Sequence, residues 1–341
     1  MSLTVERRFS MAGVLVLLVG AALPVLDVVL LNVALPIVAA ELATDGPLLS
    51  LLVAGPALAA AALLIPGTRL GERYGARRIL VIGLACFAAG AALCWFTADL
   101  ALPALLPARL AQGAAIGLIL PQISRPERGA ASGIAAAIGL LLGGVLLHWR
   151  PDWRLLFLVE VPLAVVLLIA VWMLPPGPRS AGRGKVVRWS TVPVWAGIGG
   201  FLYVFPLTVQ NQLGYGPSHS GLALVPGALC FFLGCVVGAR GVRPGLLIVV
   251  VGLLGVLPAV ELHAPLWALY PGMALVGFGM AFVVGDSAVT AVHHAALGLG
   301  VLVLGGGLGR LDHGFALVVT VALLLAAGSA ALPAAPSDQA G

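Results

Sequence analysis

The chain has 341 residues, 61% apolar and 9% charged, with a mean hydropathy of +1.12. Soluble domains are about a quarter charged, so there is too little charge here to coat a water-facing surface, and too much Leu, Val and Ala for a disordered chain. The solvent is lipid, and a net charge of +5 does not point to nucleic acid, because the basic residues stand singly or in small groups between apolar runs.

A bilayer core of about 30 Å is crossed by about 20 helical residues, so this length accommodates about a dozen crossings. The 45 glycines and 24 prolines would ruin soluble helices but suit membrane helices, where small residues let backbones approach. Apolar runs between charged or Gly/Pro punctuation predict twelve helices. The first six fall near 11–40, 48–67, 79–98, 102–123, 129–148 and 155–174. The first run is too long, and lacks a cleavage-like end, for a removed signal peptide.

The longest polar stretch, Pro175 to Trp189 (PPGPRSAGRGKVVRW), then divides the chain. Six more helices are predicted near 191–213, 219–239, 245–262, 265–286, 288–309 and 313–333. The expected organisation is an N-terminal six-helix bundle over 1–174, a cytoplasmic linker over 175–190 and a C-terminal six-helix bundle over 191–341. A weak internal repeat supports the division: GTRLGERYGARR (67–78) follows the second helix, and GARGVRP (238–244) follows the second helix of the other half. Parallel repeats of this kind are a transporter architecture.

With the N-terminus in the cytoplasm and the spans alternating, fourteen basic residues fall on the cytoplasmic side and only Arg150, Arg154 and Arg310 on the other. That bias is the positive-inside pattern, and an even count puts both termini inside. Trp95, Trp149, Trp153 and Trp267 fall near the outer surface, and Trp172, Trp189 and Trp195 near the inner one, as expected of an interfacial belt. Cys86, Cys94, Cys230 and Cys235 lie inside apolar segments without CxxC spacing and read as buried thiols.

An ionisable group deep in the bilayer is costly, so each one is a candidate for function. Asp27 stands in the first helix and Arg109 in the fourth. At about 1.5 Å per residue they lie roughly 24 and 21 Å above the cytoplasmic face, within one turn of the same depth. Such a pair can exchange a proton against a substrate charge across a shared watery vestibule, or form a static buried ion pair. Glu160 is expected about five residues inside the outer end of the sixth helix, where it can reach the interface. Asp286 reads as a helix cap. His293 and His294 are adjacent and point to different faces, a poor metal pair. The spacings Gly129/Gly133 and Gly139/Gly143 read as close helix packing, and Pro24, Pro36 and Pro56 as kinks. No HExxH, GxSxG, Walker or dinucleotide-binding motif occurs in a believable context, so an enzyme is not expected.

Four stretches of the first half resemble the major facilitator superfamily, most closely its drug:proton antiporters, which usually have fourteen helices. LDVVLLNVALP (26–36) resembles their first-helix signature, with Asp27 and Asn32. GTRLGERYGARR resembles the motif after helix two, with Glu72 and Thr68 where aspartate and glycine are usual and Gly75 in register. LLPARLAQGAAIGLILP (105–121) resembles the helix-four motif, with Arg109, Gln112 and Gly113 in register. WRLLFLVEVPLAV (153–165) resembles the approach to helix six, with Glu160 where asparagine is common. In the second half, FPLTVQNQLGYGPSHSGLALVPGAL (205–229) and HGFALVVTVALLL (313–325) resemble later stretches of the same subfamily.

The resemblance implies an all-α integral membrane protein with the major facilitator fold, about twelve transmembrane helices in two bundles. It implies a proton-coupling and substrate site at Asp27, Arg109, Asn32, Gln112 and Glu160. The loop after helix two would form a charged conformational latch of Arg69, Gly71, Glu72, Arg73, Gly75 and Arg77. The expected activity is proton-coupled efflux of a hydrophobic or cationic small molecule, by a monomer in a bacterial inner membrane. The proton gradient would be the energy source, with no cofactor, metal or nucleic acid. The sequence departs from the family's pattern in three places, one of them a much shorter junction between helices four and five, PQISRPERG (121–129). Two central helices are expected to be missing, and the fifth-helix segment GLLLGGVLL (139–147) lacks the usual Gly-Pro. A facilitator without proton coupling, or a non-transporting membrane protein, therefore stays open.

Overall fold

A computed structural model describes residues 11–44, 47–98, 102–123, 128–173, 191–286, 291–307, 315 and 319–322, without the side chains of 11–22, 24, 128–131 and 285–286. Among these residues there is helix and no strand. The α-helices are α1 (Met11–Glu41), α2 (Pro47–Tyr74), α3 (Ala76–Thr97), α4 (Leu102–Ile119), α5 (Arg128–Trp149), α6 (Arg154–Met173), α7 (Val192–Leu207), α8 (Pro217–Val236), α9 (Val242–Glu261), α10 (Tyr270–Asp286) and α11 (Ala291–Gly300). Short π-helical turns, Thr208–Gln212 and Val301–Gly305, continue α7 and α11. Nine helices among the described residues, α2 to α10, are long and apolar enough to cross a membrane. At 31 residues, α1 is also long enough. The protein is a multi-pass membrane protein.

The predicted twelfth helix, the linker over 175–190 and the Asp286 side chain lie outside the described residues, apart from helical positions 315 and 319–322. There Phe315 stacks on Phe201 and Phe205 of α7, with ring centroids 6.1 and 6.2 Å away.

Each helix buries one stripe and turns the rest outward. On α6 the buried positions are Leu156, Phe157, Glu160, Ala164, Leu167 and Val171, spaced three and four apart as one helical face requires. In the first half α1 packs on α5 and α6, α2 on α4, and α3 on α4 and α6; in the second, α10 packs on α8 and α9, and α11 on α7. The two groups meet where α5 lies along α8 and where α2 meets α11. Gly144 sits against Ser218 at one end of the α5–α8 seam and Gly133 against Phe232 at the other. Gly139 and Gly143 face Leu26 and Leu30 of α1. A further tie is the Gln210 amide, which donates to the Val33 carbonyl at 2.9 Å.

Two expectations are corrected here. The segment after helix two is not a loop: α2 runs through Gly67–Tyr74, and a single residue, Gly75 at φ 97°, separates it from α3. That φ suits glycine, and one such residue suffices to stop a helix. Trp153 is not part of an interfacial belt. It is fully buried, edge-on to Phe157, and its indole N–H donates to Glu41 at 2.6 Å. Arg154 reaches the same carboxylate at 2.5 Å and, beyond the apolar span of α1, holds it below the ordinary carboxylate range. Trp149, Trp172 and Trp267, by contrast, are exposed at helix ends.

Candidate functional site

The site forms where α1, α3, α4 and α6 come together inside the first six helices. Arg109 and Gln112 stand three residues apart on α4 and so share a face. Facing them from α6 are Phe157 and Glu160, also three apart. The Arg109 guanidinium forms a two-pronged ion pair with Asp27 of α1: one nitrogen meets Oδ1, and the other donates to Oδ2 at 3.2 Å. The first nitrogen also donates to Gln112 Oε1 at 2.5 Å. The planar guanidinium lies over the Phe157 ring, 5.4 Å from its centroid, a favourable cation–π placement in a dry site.

Gln112 links this pair to a second acid. Its amide nitrogen donates to Glu160 Oε2 at 2.6 Å, while its oxygen also accepts from the Cys94 thiol of α3 at 3.6 Å. Asp27, Arg109, Gln112 and Glu160 are all 2% exposed or less. Buried polar groups need partners, and all but one of these side-chain atoms has one; Arg109 Nε has none.

Asp27 and Arg109 thus touch directly, and no open water-filled space separates them, unlike the vestibule expected. Glu160 does not reach the interface as its distance from the helix end suggests; it occupies a core position of the α6 stripe, and its side chain turns inward to α4. Asn32 does not join the cluster. It lies five residues beyond Asp27, about 140° round the helix, buried with its side-chain oxygen unpartnered.

The residues expected to form a latch behave differently from one another. Arg69, Glu72 and Arg73 are exposed, and Arg73 lies over the neighbouring Tyr74 ring. Gly71 is packed against the Gln122 side chain. Arg77 bonds across to α6, donating to the Val171 carbonyl at 3.2 Å and to the Trp172 carbonyl. Those carbonyls belong to the last turn of α6, which lacks intrahelical donors, so Arg77 caps it and complements its dipole. Arg77→Ala is expected to cost about 1–2 kcal/mol, and Arg73→Ala less than about 0.5; unfolding midpoints in detergent compare them.

Sequence reasoning passed over Phe157 and Cys94. The i, i+3 spacing of Phe157 with Glu160 was the available signal for the first; nothing in the sequence points to the second. His293 is buried, with a ring nitrogen 2.7 Å from Thr191 Oγ1 and the Trp195 ring beside it. Among the described residues no cluster of His, Cys, Asp and Glu could hold a metal ion.

The profile of the Major Facilitator Superfamily matches residues 17–125, the stretch that holds Asp27, Arg109 and Gln112. A D-xylose–proton symporter superposes over 93% of this chain and 96% of its own, with a TM-score of 0.71 at 17% identity. The partially occluded, inward-open xylose transporter of E. coli gives 0.72 over the same shares, also at 17% identity. The chain has the fold of these transporters and carries the superfamily's profile over residues 17–125.

Other relatives are more similar in sequence. A probable actinorhodin transporter of Streptomyces coelicolor is 24% identical over 82% of this chain and 65% of its own length. The puromycin resistance protein of Streptomyces alboniger is 31% identical over 64% of this chain and 45% of its own. The cephamycin export protein of Amycolatopsis lactamdurans is 30% identical over 64% and 48%. This facilitator-fold chain therefore spans about two thirds of the first relative and under half of the other two.

Proposed function

We propose that this protein is a proton-coupled exporter of a hydrophobic or cationic small molecule, working as a monomer in a bacterial plasma membrane with both termini in the cytoplasm. The six helices over 1–174 would rock against those over 191–341, and Asp27, Arg109, Asn32, Gln112 and Glu160 would couple protons to substrate. The observation that carries this reading is the buried Asp27–Arg109 pair. Two charges in oil cost far more than two apolar side chains, so a chain that keeps them uses them by default. Relatives named for antibiotic export and resistance support the drug class.

A facilitator without proton coupling is the second reading. It is favoured by the direct, sealed contact of the pair, which could serve packing alone. Proteoliposomes holding a trapped pH dye separate the two. Antiport predicts a drug-driven proton flux in the wild type that Asp27→Asn abolishes. Drug movement with no pH change would leave only the facilitator. Equal sensitivity to a broad drug panel in a pump-deficient host, for wild type, Asp27→Asn and Arg109→Ala alike, would remove both.

A further inference from the structure

The charge count of the cluster has a consequence for where a proton sits. Two carboxyl groups, Asp27 and Glu160, face one guanidinium, and both acids and the base are 2% exposed or less. Asp27 takes both prongs of Arg109. Glu160 receives a neutral partner, the Gln112 amide, which is itself bonded to Arg109, the partner of Asp27. The groups facing it are Asp27 from α1, Cys94 from α3, and Arg109 and Gln112 from α4. Arg109 is the single permanent cation in that set. With both acids ionised, the sealed cluster would hold one uncompensated negative charge, a state that a low-dielectric interior disfavours strongly.

We propose that Glu160 is the proton-binding residue of this cluster: it carries the proton that offsets the second acid's charge, while Asp27 is held as the ion-pair partner of Arg109. The transferable step is loss of that proton. The carboxyl O–H bond breaks, its electron pair stays on Glu160 oxygen, and the proton passes to water admitted when the helices part. The carboxylate so formed competes with Asp27 for Arg109. Asp27 is thereby the fixed counter-ion and Glu160 the titrating group. This rests on the exporter reading for its use, but not for its existence.

Infrared spectroscopy of the purified full chain in lipid tests it, through the carbonyl stretch of protonated carboxyls at neutral pH. Glu160→Gln keeps an oxygen to accept the Gln112 amide and should lower that band by one carboxyl relative to wild type. Asp27→Asn should lower it equally, because Glu160 then ionises against the freed Arg109. Gly216→Ala, outside the cluster and with nothing within 4 Å of an added Cβ, should leave it unchanged. A band in Glu160→Gln or in Asp27→Asn that matches the wild type would overturn the assignment, and either variant suffices if the other fails to fold. Absence of drug-driven proton flux in vesicles would remove the exporter reading while leaving the band intact, so the two failures are told apart.

Discussion

Arg109→Ala is expected to destabilise the protein by about 3–5 kcal/mol, the cost of leaving the buried Asp27 carboxylate without its cation. Four contacts go with the side chain: both prongs on Asp27, the bond to Gln112 Oε1 and the stacking over Phe157. Removing the partner as well should behave oppositely. In Asp27→Leu with Arg109→Met, neither charge remains to be desolvated, so most of the lost stability should return. Unfolding midpoints in detergent measure both. Drug-driven proton flux should be absent from the single and the double variant alike, which separates a role in coupling from a role in holding α1 to α4. A double variant that is stable and still exchanges protons for drug would show that the pair serves the fold alone.

Gly113→Leu should have the second large effect. Gly113 stands next to Gln112 and faces the Pro56 backbone of α2, so closely that an added Cβ would overlap the Pro56 main chain. The obstacle is backbone, with no side chain free to swing away, so α2 and α4 must separate. Overpacking of this kind costs about 1–3 kcal/mol, and more where nothing relaxes. The displacement would also carry Gln112 and Arg109 away from α1 and α6, so drug transport should fall together with the unfolding midpoint. Gly216→Ala, at a position where an added Cβ meets nothing within 4 Å and φ is −77°, should change stability by less than about 0.5 kcal/mol. If the two substitutions were equally tolerated, the tight α2–α4 seam would not describe the protein in its membrane.

Much of this site was legible before any coordinates, because depth in a membrane helix is close to a linear function of residue number. Counting at about 1.5 Å per residue put Asp27 and Arg109 at one level, and the structure has them in contact. Position around the helix axis was read less well. Distance from the helix end alone misplaces Glu160, whose spacing with Leu156, Phe157 and Ala164 marks a core-facing position. Asn32 shares a motif with Asp27 but not a face. The stretch after helix two reads as a loop because Gly67 and Gly71 look like breakers. In the fold each lies where another chain segment passes close, Gly67 beside the Gly117 carbonyl and Gly71 beside Gln122, so the helix continues to the one glycine with a positive φ.

Composition and hydrophobic run length alone determined that this chain lives in lipid and crosses it many times, since a helix must be apolar for about 20 residues to span the core. They determined as well which few ionisable groups lie deep, because charge there is too costly to be casual. Which of those groups meet was decided by tertiary structure: α1 brings Asp27 onto the α4 guanidinium, and α6 brings Glu160 to Gln112, which links the two acids through Arg109. Partnership between side chains depends on rotation and packing of whole helices against one another, and no local pattern in a single helix encodes that.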